Sequence, residues 1–359
     1  MESARCYING IGILSPQRTF VNTEFLEQVT NYNTNILTCV TPDFKTYMSP
    51  VQLRRLSRML RIGMTAATIC LKDAGIQVPD GIVTSTGYGF LDETEKFLKE
   101  LLERKETQLT PTYFIQGTYN ALAGLVALSV KCTGYNNTYV SKGFAFENAL
   151  HDCMLRLVAK NDLNLLLGSY DESASVQYIA GLRERQFKKE PTNSLDIFKN
   201  KTVGCIQGEG SAFFDLSGQP SPSTWCSVEG LKLFYLPESA EELGEGISSF
   251  LKKHNISETD IDVVISGMSG DSSRDQVFEQ LEKILFIQTP RVYFKHLCGE
   301  YCTATSFGMW LASSILKKQF VPEVVKASST RFPDQIQTVL LINHYLNRNY
   351  SILLLKRYS

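Results

Sequence analysis

Gly204-Cys205-Ile206-Gln207-Gly208-Glu209-Gly210-Ser211-Ala212 sets three glycines around one glutamate, immediately ahead of an apolar run. Glycines this dense mark a turn, and the run that follows reads as a strand over 210–216. Glu209, held between two of the glycines, reads as a hydrogen-bonding residue at the strand's entry rather than as an acid catalyst. On both sides of this turn, short β-rich runs alternate with helical ones. Residues 6–14 predict a strand, and 57–74 an amphipathic helix with Leu60, Met64, Ala67 and Leu71 on one face and Gly75 as its stop. Strands at 81–87, 138–141 and 163–167 then alternate with helices at 92–104, 120–130 and 147–159. After 210–216 the rhythm repeats. Strands at 227–234 and 262–266 alternate with helices at 240–254, 275–284 and 303–318, and a hairpin-like pair at 337–343 and 351–356 ends the chain.

This alternation predicts an α/β protein whose sheet is covered by helices on both faces. Gly218, Pro220 and Pro222 break the periodicity between two similar halves, 1–217 and 218–359. A duplicated α/β unit packed as a five-layer sandwich in one compact body follows. The 359 residues, 43% hydrophobic and 20% charged, suffice for a large core and argue against disorder. A net charge of −1 gives no single-sign field for nucleic acid or anionic lipid, so a protein or small-molecule partner is expected. Nine cysteines without C-x-x-C pairs suit a reducing cytoplasm. The start, Met1-Glu2-Ser3-Ala4-Arg5-Cys6, lacks a signal-peptide profile, and no apolar run is long enough to cross a membrane. No phosphate loop of the G-x-x-x-x-G-K-[ST] kind occurs. Cys298 and Cys302 bracket Gly299-Glu300-Tyr301 near His296 but lack a fourth ligand, so neither metal nor cofactor is expected.

Five segments resemble the β-ketoacyl synthase family of the thiolase fold in order and spacing. They are Asn9-Gly10-Ile11-Gly12-Ile13-Leu14-Ser15-Pro16; Arg54-Arg55-Leu56-Ser57-Arg58 with its helix to Asp73-Ala74-Gly75; Pro111-Thr112-Tyr113-Phe114 through Gly124 to Gly134; Gly168-Ser169-Tyr170-Asp171; and Gly208-Glu209-Gly210. The resemblance implies a five-layer αβαβα sandwich. It also implies a condensing site built from a cysteine thiolate at a helix N-terminus and two histidines that activate the extender and hold the enolate oxygen.

None of the four histidines stands where that chemistry needs one. Counting from Gly134 forward and from Asp171 backward puts the nucleophile at Gly143; two residues either way offer only Ser141, Lys142, Phe144 or Ala145. Gly267 stands at the first histidine position and Glu300 at the second, with the preceding Lys295 retained. Lys295 and Glu300 read either as an ion pair filling the emptied cavity or as surface charge. The loop that closes over the thiol in active members corresponds to His344, Tyr345 and the residues up to Asn349. His344 and His296 read as ordinary polar residues at strand and loop ends rather than as catalytic ones.

A synthase scaffold without its cysteine resembles the chain-length factor of type II polyketide systems, with aryl-polyene or flexirubin-type pigment clusters the best match. That resemblance implies a heterodimer with an active ketosynthase, fed by an acyl carrier protein. Candidate wall and interface residues are Phe114, Gln116, Tyr119, Leu122 and Val126, with Phe144 and Phe146 filling the vestigial pocket. Two alternatives stand beside it. One is an acyltransferase or decarboxylase acting on an acyl thioester, with Glu300 or His344 as base and Ser141 or Cys298 as nucleophile. The other is a homodimer that binds acyl chains or carrier protein without turnover.

Overall fold

The computed structural model describes residues 6–200, 202–327 and 330–358; the N-terminal start, Met1 to Arg5, lies outside them. The first half carries strands β1 (Cys6–Leu14), β2 (Gly81–Thr86), β3 (Tyr135–Val140), β4 (Asn164–Asp171) and β5 (Gly210–Ser217). Its helices are α1 (Pro50–Arg55), α2 (Arg58–Ala74), α3 (Leu91–Glu103), α4 (Pro111–Gly117), α5 (Ala121–Val130), α6 (Ala145–Ala159) and α7 (Ser175–Arg183). The second half adds β6 (Cys226–Tyr235), β7 (Val263–Ser266), β8 (Arg291–Tyr293), β9 (Thr338–Tyr345) and β10 (Asn349–Arg357). With them come α8 (Ala240–Lys253), α9 (Gln276–Ile284), α10 (Lys295–Cys298) and α11 (Thr305–Lys318).

The strands follow the order β3-β2-β4-β5-β1-β6-β10-β9-β7-β8. Read inward from either edge, each set of five runs third, second, fourth, fifth, first, so the duplication expected from the alternation is present in the topology. The halves are stitched where Cys6–Ile8 of β1 pairs antiparallel with Val228–Cys226 of β6.

Strand alternation sorts the apolar side chains into layers. Leu165 and Leu167 of β4, with Val339 and Leu341 of β9, face a central core filled by Phe146 and Leu150 of α6 and by Phe307, Trp310 and Leu311 of α11. Leu166 and Phe213 point the other way, onto α2 and α5. Leu340 and Ile342 point outward onto α8 and α9. The result is the five-layer helix-sheet-helix-sheet-helix arrangement. Ser57 caps α2 by accepting from Leu60 N, and Gly75 ends it at φ 73°.

Strand β3 begins three residues earlier than its sequence suggests. Tyr135, Asn136 and Asn137 pair in parallel with Gly81–Val83, and the sheet accommodates the two asparagines because β3 is an edge strand with one side open.

Asp215 of β5 is fully buried, and neither carboxylate oxygen has a hydrogen-bond partner among the described residues. Burial, with a smaller contribution from Asp80, pushes its pKa up to about 7. Below about pH 4 the carboxyl is neutral in both folded and unfolded chains. As pH rises to 7 the unfolded chain ionises first, so the fold loses up to about 4 kcal/mol over that window and nothing more above it. Asp215→Asn should remove this loss, so that its stability advantage over wild type, measured by urea titration, grows between pH 4 and 7 and then levels off.

Candidate functional site

The motif residues converge where the turn into α6, the loop after β7, the short helix α10 and the β9–β10 hairpin meet. The hairpin closes through Leu346 and Asn347, at φ 52° and 56°, with Arg348 N donating to Tyr345 O at 3.2 Å. Two successive left-handed residues form the tight turn that matches strand twist. They aim Tyr345 at the mouth of α6.

A side chain at Gly143 would begin 2.7 Å from Tyr345 Cβ, 2.8 Å from Cδ1 and 3.0 Å from Asn349 Cγ. Tyr345 therefore occupies the space that a nucleophile at 143 would use. The left-handed backbone falls one residue earlier, on the exposed Lys142 at φ 45°, whose Nζ lies 5.5 Å from the Tyr88 ring centroid. Strain at a strand-to-helix turn is how a nucleophile is presented in other folds. Here both 142 and 143 lack a thiol. Burial pushes the Tyr345 hydroxyl well up, reinforced by neighbouring Cys302 and Tyr88. Cys302 is itself pushed up by burial and packs on Gly87, so it is a buried neutral thiol.

At the position expected for the first histidine, Gly267 N donates to Ile342 O at 2.8 Å, and a side chain there would start 2.8 Å from Asn343 Cα. Asn343 Nδ2 donates to Thr305 Oγ1 at 2.8 Å, and Thr305 donates to buried Glu147. At the second position, Lys295 Nζ lies 2.7 Å from Glu300 Oε2 and also donates to His344 O at 2.7 Å. Lys295 is 1% and Glu300 4% exposed. Of the two sequence readings, the buried ion pair is the observed one. The GEG turn sets its position: Glu300 N donates to Ile206 O at 2.8 Å, and Gly208 N donates to Glu300 O at 3.0 Å. Gly208 permits this approach, since a Cβ there would collide with the Cys298 carbonyl.

His344 accepts from Asn347 N through Nδ1 at 3.0 Å, which leaves Nε2 protonated and facing Asp275 Oδ1 at 3.6 Å. Burial, then the charge of Lys295, pushes its pKa down, so the ring is neutral. Burial alone would raise Asp275, but His344 and hydrogen bonds from Ser269 outweigh it and hold the carboxyl low. Glu209 acts structurally, accepting from Arg58, Cys39 N and Ser173 Oγ.

The alternative nucleophiles are poorly placed. The Cys298 thiol is pushed up by burial and donates to Gly299 O at 3.2 Å. Ser141 is exposed, and its hydroxyl accepts from Asn148. His296 is buried against the Val324 carbonyl at 2.9 Å, and burial pushes its pKa down to about 4.

The wall and interface candidates separate. Phe114 and Tyr119 are 60% and 53% exposed and line a surface concavity of about 640 Å³ between α3, α4 and β3. Leu122 and Val126 do not face it; they are buried against α2, Leu122 filling the space beside Gly63. Gln116 is also turned inward, accepting from Ser57 N and donating to Arg55 O, which locks α4 to the α1–α2 corner. Phe146 belongs to the central core, tilted against Phe214, and Phe144 is half-buried at the turn before α6. The outward face of α5 carries Gly124 and Leu128, the latter 76% exposed.

Sequence reasoning missed Asp171 as the tie of the site. It accepts from Thr86 Oγ1, Gly87 N, Thr303 N and Thr303 Oγ1 at 2.8–3.0 Å, joining β2, β4 and the lead-in to α11. A carboxylate ending an otherwise apolar strand was the available signal. Tyr88 and Asn343 had none.

Residues 37–194 match the family model described as the β-ketoacyl synthase N-terminal domain. Over this stretch, a little under half of the chain, the sequence is similar to that domain. No curated protein matches the sequence. Among solved structures, the chain is similar to the ishigamide ketosynthase/chain length factor, at 14% identity and TM-score 0.77, with 99% of each chain covered. A β-ketoacyl synthase from Burkholderia phymatum STM815 aligns at 13% identity and TM-score 0.76, covering 99% of this chain and 100% of that one. A ketosynthase in complex with its chain length factor from Xenorhabdus doucetiae aligns at 15% and 0.73, covering 99% and 98%. At these identities the likeness establishes the ketosynthase fold, including the second half that the family model does not reach.

Proposed function

We propose that this chain is a non-catalytic ketosynthase-like subunit, a chain-length factor that pairs with an active ketosynthase and shapes the space for its growing acyl chain. The observation that carries this reading is Tyr345 and Asn349 occupying the place of a side chain at Gly143; beside it stands the resemblance, which puts Gly267 and Glu300 at the two histidine positions. Two of the similar structures are described as chain length factors with their ketosynthases, and a third, at TM-score 0.70, as an acyl-carrier protein in complex with its ketosynthase. The partner is an active ketosynthase, the donor an acyl carrier protein, and the product class a polyene or polyketide chain. The halves 1–217 and 218–359 act as one unit because both contribute to the central core. No helix among the described residues is long and apolar enough to cross a membrane, in keeping with a subunit that meets its carrier in the cytoplasm.

The docking side is the open edge of the sheet. At the other end, short β8 is covered by the bridge between Val292 and Lys326 and by Ala327 N donating to Arg291 O. Strand β3 ends the sheet uncovered, flanked by exposed Phe114, Ile115, Tyr119, Leu128 and Val140. Edges of this kind seek pairing.

The test is reconstitution with a ketosynthase and loaded carrier protein, each chain alone and both together, with intact-mass measurement of this chain after exposure to acyl donor. Elongation should need both chains, and this chain should carry no acyl adduct. Turnover or an adduct by this chain alone would overturn the proposal in favour of altered acyl-thioester chemistry. A tight homodimer unaffected by the ketosynthase would favour the acyl-binding alternative.

A further inference from the structure

Helix α3 buries acids and exposes leucines. Its buried residues are Glu93 and Glu100, while Leu98 and Leu102 are largely exposed. Glu93 pairs with Lys96 on the helix itself at 2.6 Å, and Glu100 accepts from Thr110 N and Oγ1 at 2.8 and 2.7 Å, at the start of α4. Phe97 is tilted against Phe114, ring centroids 5.4 Å apart, so the apolar contact is with α4 as well. The helix leans on α4 rather than on the sheet. Both of its connections are bent: it leaves β2 through Gly89 at φ 71°, and reaches α4 through Lys105, Glu106 and Gln108 at φ 50°, 63° and 50°.

A carboxyl from outside the hairpin holds the first turn. Phe90 offers no side-chain cap, and Asp92 N donates instead to Glu172 Oε1 at 2.8 Å, just past the end of β4. Glu172 is partly buried among other acids. Asp92 and Glu93 face it from α3, Glu209 from the turn before β5, and the neutral Tyr170 hydroxyl from β4. The cations on this side are engaged elsewhere, Arg58 of α2 with Glu209 and Lys96 with Glu93. Burial, then Asp92, Glu209 and Glu93, push the Glu172 carboxyl up to about 8 against the opposing hydrogen bond from Asp92 N.

We propose that Glu172 is a proton-operated latch that holds α3, and with it one wall of the concavity between α3, α4 and β3, against the body of the protein. A neutral carboxyl accepts from Asp92 N at no electrostatic cost. An ionised one sits beside three other carboxylates in partly dehydrated surroundings, and swinging α3 away on its two bent connections returns it to water. Below about pH 4.5 the carboxyl is neutral whether α3 is docked or swung out. Between about 4.5 and 8 the swung-out state ionises first, so the ratio of swung to docked rises up to about tenfold per pH unit, and it levels above 8. Phe97 and Phe114 line the concavity, so the latch sets how much of the docking face is in place. That this face meets a ketosynthase rests on the function proposed above; the latch itself does not.

Native-state hydrogen exchange of the full chain, with each rate divided by the intrinsic rate of its amide at that pH, tests the latch without any partner. Protection of the α3 amides should fall by up to about a hundredfold between pH 6 and 8 while that of the α11 amides stays constant. Glu172→Gln keeps an acceptor oxygen but has no proton to lose, so its α3 protection should not change with pH. Asp92→Asn, a second variant, removes one of the facing carboxylates and keeps the backbone donor; its α3 protection should stop falling at a lower pH than in wild type. A wild-type α3 whose protection is independent of pH, or a fall of the same slope in Glu172→Gln, would overturn the proposal. Ketosynthase affinity that weakens from pH 6 to 8 in wild type more than in Glu172→Gln supports the regulatory role. Equal pH dependence of the two affinities, with the exchange result as expected, keeps the latch and overturns the placing of the partner on this face.

Discussion

Replacing Lys295 with methionine should lower the unfolding free energy of the chain by about 3–5 kcal/mol, because the substitution leaves Glu300 buried with a charge and no partner. Glu300 is 4% exposed, its Oε1 has no hydrogen-bond partner among the described residues, and its backbone is clamped to Ile206 and Gly208, so it cannot swing to water. The double variant Lys295→Met/Glu300→Leu should recover most of the loss, since apolar replacement of a buried pair is close to neutral. It should fall short of wild type by about 1–3 kcal/mol, the cost of leaving the His344 carbonyl without its donor. Urea titration of the three proteins reads both effects. A double variant as unstable as the single one would mean that the pair is held by more than its mutual charge. In this chain the Glu300 carboxylate is spent on an internal contact with Lys295.

The fold was legible because its elements are strongly patterned. Residues 6–14 form β1 over the span expected, and the helix expected at 57–74 differs from α2 by one residue, each bounded by a residue with a structural reason to stop. Strand β3 was misjudged because asparagine rarely builds strands, and only an edge position lets 136 and 137 do so. In the site, the empty positions 143 and 267 could be counted along the chain. What fills them could not: Tyr345 lies about two hundred residues from Gly143 in sequence, and only the hairpin brings it there.

The two faces of α5 were not legible for a different reason. Ala121–Val130 is apolar nearly all round, so periodicity cannot say which stripe faces the core. Leu122 and Val126 share the face that packs on α2, whereas Gly124 and Leu128, also four residues apart, face outward. The same ambiguity covered Gln116, whose amide is consumed by the backbone at Arg55 and Ser57.

Leu128 should therefore be the substitution to which assembly with the ketosynthase is most sensitive. At 76% exposure beside an open sheet edge and next to Phe114, Ile115, Tyr119 and Val140, it is the most exposed large apolar side chain of this face. Leu128→Arg places an unpaired charge where a partner helix must exclude water, and should cost about 2–4 kcal/mol of binding, or roughly 30- to 1000-fold in Kd. Ile287→Arg is the matched control: Ile287 is 60% exposed at the opposite end of the sheet, so the charge is equal and assembly should be unaffected. Both substitutions leave the core untouched, and the isolated variants should unfold at wild-type urea concentrations. If Leu128→Arg pairs and supports elongation like wild type while Ile287→Arg does not, the docking face lies at the β8 end. If both assemble normally, neither sheet edge holds the partner, and the exposed apolar band along α4, α5 and β3 needs another explanation.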